Sequence, residues 1–389
     1  MIETLIIQSL CAAVFVGTAA ASYLVTPRMI GLSRRLNLLD IPNERKAHAA
    51  PTPLLGGCGL FISFWLVVLA GLAGMVLFQK QIVKQPELWN LIVGALHLLP
   101  RLGGIFLGSV FILFLGLLDD VFNLAPWQKL LGQSIAAYIL ISKGITIDIV
   151  LLEAPFGYAV TFVWILLIMN SFNFIDSIDG HCAGIALISC VVFFWTTQII
   201  HQPAVGLFVI GLVGVLFGFL PYNFKPARIF LGDNGSLFVG YMMAATTLLL
   251  TYQTVSTTAV TRFIPIFMFG VPIYDTLSVI LVRVFRGIPP WRGDRNHFAH
   301  RLSRLGMSDK VAVFFSYFVA LTLGIIAVLS TQIVTAIGAF LIVFLFASIM
   351  VVIAFLEYYA AMHVKLNEEL RQQFKRRRDD VREEEDKRF

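Results

Sequence analysis

The chain has 389 residues, 58% of them hydrophobic and only 13% charged, with a mean hydropathy of +0.84. A soluble core does not need that much apolar sequence, so an ordinary soluble domain is excluded and a polytopic membrane protein is indicated. The net charge of +6 and the pI of about 9.2 would suit a nucleic-acid partner, but the basic side chains cluster between apolar runs, as membrane orientation requires, and no nucleic acid is expected.

The first apolar run, Leu5–Val25, is too long for a signal peptide and lacks a basic leader, so it reads as a retained helix. Further spans are predicted at Leu54–Phe78, Leu102–Leu118, Leu130–Ile147, Tyr158–Asn173, Ala183–Ile200, Val205–Leu220, Gly235–Thr251, Phe263–Val284, Val311–Ser330 and Ile333–Leu356. Leu88–Leu99 is apolar but short, which suits an interfacial or re-entrant segment. The predicted fold is all-α, a polytopic integral membrane protein of about 11 transmembrane helices. Residues 1–362 form the membrane domain, and residues 363–389 a tail of mixed charge on the cytoplasmic side. Cys11, Cys58, Cys182 and Cys190 show no pairing pattern and read as small hydrophobes in or beside apolar segments.

Orientation follows from lysine and arginine. With the N-terminus outside, only Lys80, Lys84, Arg101, Lys143 and Arg262 of the 29 basic residues fall on the outer face. That topology places Asp119, Asp120, Asp176, Asp179, Asp233, His297 and His300 on the cytoplasmic side. Motifs far apart in sequence can then converge on one cytoplasmic cleft.

The central motif is Asn170-Ser-Phe-Asn173-Phe-Ile-Asp176-Ser-Ile-Asp179-Gly180, between two apolar runs. If helical, its carboxamides and carboxylates recur every three residues and stay close to one face. Ionisable groups beside hydrocarbon are expensive, so a functional site is the default, with a polar turn ending two helices as the alternative. Asp119-Asp120 ends another apolar run. Adjacent carboxylates repel unless a cation or proton lies between them. They are either a helix-terminal pair or a seat for phosphate chemistry with Mg²⁺, which takes oxygen ligands, water and substrate phosphates.

Phe230-Leu-Gly232-Asp233-Asn-Gly235-Ser236 is a glycine-bearing turn opening a helix, where backbone can approach a phosphate. Asp233 could hold a cation there, or simply cap the helix. The loop from Pro42 to Gly57 carries Arg45, Lys46 and His48 between prolines and a glycine pair, and could grip an anion. Asp294-Arg295-Asn-His297-Phe-Ala299-His300-Arg301 lies in the largest inner loop. Its histidines suit phosphate or sugar better than a metal, although loop histidines are inert more often than not. Asp275, inside a span, is either an ion-pair partner for an arginine such as Arg283 or part of the site.

Together these motifs resemble one family, the polyprenyl-phosphate N-acetylhexosamine-1-phosphate transferases of glycosyltransferase family 4. The nearest type is the bacterial undecaprenyl-phosphate N-acetylglucosaminyl 1-phosphate transferases. PNERKAHAAPTPLLGG, the LLDD end of the third span, NSFNFIDSIDG, FLGDNGS and DRNHFAHRL stand in family order. The resemblance implies transfer of an N-acetylhexosamine 1-phosphate, GlcNAc-1-phosphate first among them, from a UDP-N-acetylhexosamine to a polyprenyl (undecaprenyl) phosphate. The products are a lipid-linked diphospho-sugar and UMP. It implies Mg²⁺, with Mn²⁺ able to substitute, a lipid bilayer around the chain, and a bacterial inner-membrane location; a homodimer is compatible with it.

It also implies roles. Asp119 and Asp120 are the catalytic pair; Asp233, Asp176 and Asn173 hold metal and metal-bound diphosphate. Asn170, Asp179, Phe230, Lys129, His48, Arg283, Arg295, His297 and His300 bind substrate, with Phe230 stacked on uracil. Two positions depart from the family pattern: Ser177 stands where glycine is frequent, and Ala299 replaces the middle histidine of the histidine motif. The competing readings are an ion-coupled transporter, the muramyl-pentapeptide branch of the same family, and an inactive scaffold.

Overall fold

The computed structural model describes residues 2–42, 50–78, 86–147, 154–250, 263–291, 297–304, 306–333 and 337–356, with a few single positions besides. The tail, His48 and Arg295 lie outside them. The described residues are almost wholly helical, as the composition requires. In lipid the backbone must satisfy its own hydrogen bonds, and helices do so within one segment.

Helix α1 runs Ile2–Arg35, well past the predicted end at Val25. A two-stranded antiparallel ribbon follows, β1 (Leu39–Asp40) against β2 (Thr52–Pro53), with Leu39 opposite Pro53. Next come α2 (Gly56–Leu77), α3 (Pro86–Phe122), α4 (Pro126–Ser142), α5 (Ala154–Ile175), α6 (His181–Ile199), α7 (Pro203–Asn223) and α8 (Gly232–Leu249). The predicted ninth span is two helices, α9 (Ile264–Met268) and α10 (Gly270–Phe285), meeting at Phe269. Short α11 (Phe298–Arg304), α12 (Asp309–Ser330) and α13 (Ile337–Leu356) complete the described chain.

Leu88–Leu99 is not a separate interfacial segment. It forms the first turns of α3, which continues through Pro100 for 37 residues. At ~1.5 Å per residue α3 is ~55 Å long, far more than the ~30 Å of a bilayer core. Among the described residues, eight helices are long and apolar enough to cross a membrane. The predicted spans at α4, α8 and α10 are shorter helices of 17, 18 and 16 residues.

Helix α8 explains how a short, weakly apolar helix can lie at the centre. Its side chains from Asn234 to Thr247 are buried by protein on every side, so it needs no lipid-facing stripe. It packs against α2, α3 and α5, and α1 packs against α7. Cys11, Cys182 and Cys190 are buried free thiols, and Cys58 is half-buried.

Candidate active site

The site is built around the N-terminus of α8. Gly232 adopts φ +70°, a left-handed conformation that glycine takes without strain, and it turns the chain into the helix. The first N–H groups of a helix have no partner within it. Asp120, from the end of α3, supplies one. Its Oδ1 accepts from the Asp233 N–H at 2.8 Å, and its Oδ2 from the Asn234 N–H at 3.1 Å and Asn234 Nδ2 at 2.6 Å. A carboxylate here also meets the positive end of the helix dipole.

Asn234, fully buried, extends the junction to α2. Its Nδ2 donates to the Leu54 carbonyl at 2.7 Å, and its Oδ1 accepts from the Cys58 N–H at 3.1 Å. The backbones come so close that a Cβ on Gly57 would lie 2.3 Å from Asn234 Oδ1, and one on Gly116 2.3 Å from Asn234 Cα. The glycine pair read as part of an anion grip therefore seats α2 on α8.

Asp119 is buried beside this junction. Its Oδ1 accepts from the Leu124 N–H at 2.9 Å, and its Oδ2 is ion-paired with the Lys129 ammonium from the first turns of α4. The same ammonium lies 3.3 Å from Asp233 Oδ2. Asp233 does not cap its own helix. Its Oδ1 accepts from Asn173 Nδ2, on α5, at 2.6 Å, and that amide also reaches Ser236 Oγ at 2.9 Å. The adjacent carboxylates thus escape repulsion in two ways: a lysine stands between Asp119 and Asp233, and a helix N-terminus faces Asp120.

Asp176 follows the end of α5 and is half-buried. Burial, and then the charges of Asp233, Asp120 and Asp179, hold its carboxyl well above the usual carboxylate range. Asp179 Oδ2 accepts from the Ala227 N–H at 3.0 Å, and so ties down the loop that leads to Phe230. Phe230 is half-buried, with its N–H donating to Pro53 O at 2.8 Å and its carbonyl accepting from the Gly56 N–H at 3.1 Å. Asn170 exchanges two hydrogen bonds with Gln133 at 2.7 and 3.2 Å, one turn along α4 from Lys129. Gln133 is buried and is not among the residues that the sequence singles out; a glutamine inside an apolar run is the signal that marks it.

The histidine segment forms a second group. His297 and Asp275 are buried, with His297 Nδ1 2.9 Å from Asp275 Oδ2. The ring of Phe174, the residue after Asn173, makes a T-shaped contact with the His297 ring, 5.8 Å between centroids. Buried Arg283 lies 5.5 Å over the Phe174 ring, and its Nη1 donates to the Pro290 carbonyl. His300 is half-buried on α11. The end of α5 therefore separates the two groups: Asn173 faces Asp233, and Phe174 faces His297. Ala299 is fully buried, so its methyl group fills packed space rather than a vacancy at a polar surface.

A bound divalent cation is testable on the donor set. Asp119, Asp233, Asp176 and Asn173 offer hard oxygen donors, which suit Mg²⁺. Among the described residues no group of three His, Cys, Asp or Glu has metal-holding geometry. Mg²⁺ is commonly held by one or two carboxylates plus substrate phosphates, so the Asp119–Asp233 pair fits it without a protein cage.

Comparison with known proteins bears on the family. Residues 102–251, from α3 to just past α8, match the model of glycosyl transferase family 4. The matched segment includes Asp119, Asp120, Lys129, Asn173, Asp176 and Asp233. A Bacillus subtilis protein described as a probable undecaprenyl-phosphate N-acetylglucosaminyl 1-phosphate transferase is 30% identical over 326 residues, covering 81% of this chain and 83% of the relative. The chain belongs to glycosyl transferase family 4. A decaprenyl-phosphate N-acetylglucosaminephosphotransferase of Mycobacterium tuberculosis is 28% identical over 342 residues, 80% of each chain. An undecaprenyl-phosphate alpha-N-acetylglucosaminyl 1-phosphate transferase of Thermotoga maritima is 24% identical over 286 residues, 74% of this chain and 80% of that one. The family assignment agrees with the multi-pass helical fold and leaves the transporter reading without support.

Proposed function

We propose that this membrane protein transfers N-acetylglucosamine 1-phosphate from UDP-GlcNAc to a polyprenyl phosphate, giving a lipid-linked diphospho-sugar and UMP. One observation carries the reading: Lys129 and Asn173 bring Asp119 and Asp233 together at the N-terminus of α8. Lysine, carboxylates and a helix N-terminus in one place suit a diphosphate with a divalent cation. The names of the relatives support the amino sugar and the lipid acceptor.

An oxygen of the lipid phosphate attacks the sugar-bearing phosphorus, the bond from that phosphorus to the bridging oxygen breaks, and UMP leaves. A phosphate monoester has a second pKa near ~6, so the acceptor is largely dianionic at neutral pH and needs little help from a base. When bound, Mg²⁺ (or Mn²⁺) neutralises diphosphate charge and eases departure of UMP. Asp119 and Asp233 would hold it, and Asp176 lies in the field of Asp233. Lys129 would follow the diphosphate. Asp120 has both oxygens engaged by α8, which favours direct displacement over a covalent intermediate on Asp120.

The charge asymmetry supports a cytoplasmic site in a bacterial inner membrane. The deciding experiment is UMP release by purified protein given UDP-GlcNAc with and without undecaprenyl phosphate. Acceptor-dependent release is expected. No release at any acceptor concentration would refute the reading.

A further inference from the structure

The reading above leaves Asp275 without a task. Its carboxylate is fully buried on α10 and has three kinds of partner. Oδ2 faces His297 Nδ1 at 2.9 Å, while Oδ1 accepts the Phe298 N–H and lies 3.6 Å from Arg301 Nη2. A buried carboxylate must be paired, and this one is paired with the start of the segment that carries the histidines.

The consequence falls on His297. A carboxylate accepts and cannot donate, so the Nδ1 facing it carries the proton. The second oxygen is held by the α11 backbone, which fixes the carboxylate plane. Phe174 packs at 75° to the ring, with centroids 5.8 Å apart, and limits its swing. Nε2 is then the nitrogen left for a ligand. Because Phe174 directly follows Asn173, the ring sits at the same end of α5 as the Asp119–Lys129–Asp233 group.

We propose that Asp275 is a positioning residue for the transfer reaction, holding His297 with Nδ1 protonated so that Nε2 meets the sugar-nucleotide donor. The inference rests on the proposed function. A purely structural role is the rival, since Asp275 also anchors α11. Asp275→Asn separates the two. The asparagine carbonyl still accepts the Phe298 N–H, so the anchor stays. Its NH₂ group then faces Nδ1 and drives the ring proton to Nε2. In hydrolytic triads the same exchange leaves the geometry intact and lowers kcat by roughly 10⁴-fold.

The experiment uses the full chain in detergent. UMP release from UDP-GlcNAc is measured for wild type, Asp275→Asn, His297→Ala and the double variant. ¹⁵N spectra of histidine-labelled protein are recorded at a pH where the ring is neutral, with His297 assigned from its loss in His297→Ala. We expect each single variant to lose about tenfold or more in kcat. The double should be no worse than His297→Ala, because Asp275 acts through the histidine. The spectra should show Nδ1–H in wild type and Nε2–H in Asp275→Asn. Full activity of Asp275→Asn overturns the proposal, as does a loss that multiplies in full onto His297→Ala. If Asp275→Asn does not fold, the wild-type spectrum decides alone, and Nε2–H there refutes it. A wild type that releases no UMP defeats the proposed function itself, while the spectrum still reads the Asp275–His297 pair.

Discussion

Asp120, at the end of α3, accepts the backbone N–H and the side-chain amide of Asn234 with a single oxygen, at 3.1 and 2.6 Å. A carboxylate from one motif thus closes the first turn of the helix that carries another, over a separation of 114 residues. Asn234 also bonds Leu54 and the Cys58 N–H, so α2, α3 and α8 meet at one side chain.

Asn234→Ala should therefore destabilise the protein. The substitution strands the Leu54 carbonyl, the Cys58 N–H and part of Asp120, and each buried unmet group costs about 1–3 kcal/mol. The expected outcome is a clear fall in thermal midpoint in detergent. An unchanged midpoint would show that the junction adds nothing to stability.

Lys129 should be the most sensitive basic residue. Lys129→Met leaves buried Asp119 without its cation and takes the ammonium away from Asp233. Turnover should fall by about tenfold or more, equivalent to about 1.4 kcal/mol of transition-state stabilisation. Lys129→Arg, which keeps the charge, should recover part of it. Steady-state UMP release checks both, and equal rates in Lys129→Met and wild type would remove Lys129 from the site.

Metal removal should stop the reaction. Chelation should abolish UMP release, and Mg²⁺ or Mn²⁺ should restore it. Asp233→Asn should raise the Mg²⁺ concentration needed for half-maximal rate more than Asp176→Asn does, because Asp233 is the carboxylate shared by Lys129 and Asn173. A Mg²⁺ titration of both variants reads this directly; turnover in excess chelator contradicts it.

Ala299→His should act through packing. From sequence, a histidine there reads as an added polar contact that alters preference among UDP-N-acetylhexosamines. Ala299 is fully buried, however, and an imidazole must displace its neighbours, with overpacking costing about 1–3 kcal/mol. A lowered thermal midpoint is expected, with unchanged discrimination between UDP-GlcNAc and its epimers in whatever activity remains. A changed preference at an unchanged midpoint would restore the specificity reading.

The sequence by itself determined the membrane class, most of the helix positions and the motifs. Those depend on local properties: apolar run length, and carboxylates placed where lipid makes them expensive. It misplaced Leu88–Leu99, because an apolar segment of a dozen residues carries no sign of the helix it continues; α3 shows that it joins the third span. Pairing was decided by the tertiary structure alone. Asp275 could be matched in sequence to Arg283, but ~12 Å of helix rise lies between their positions on α10. Its partner comes instead from α11 and the residue before it, folded back against α10. Likewise Asp119 and Asp120 are neighbours with opposite fates, one facing Lys129 and the other the N–H groups of α8. Successive side chains on a helix point about 100° apart, so adjacent residues meet different helices. Only the packing of α3 against α4 and α8 decides which partner each one meets.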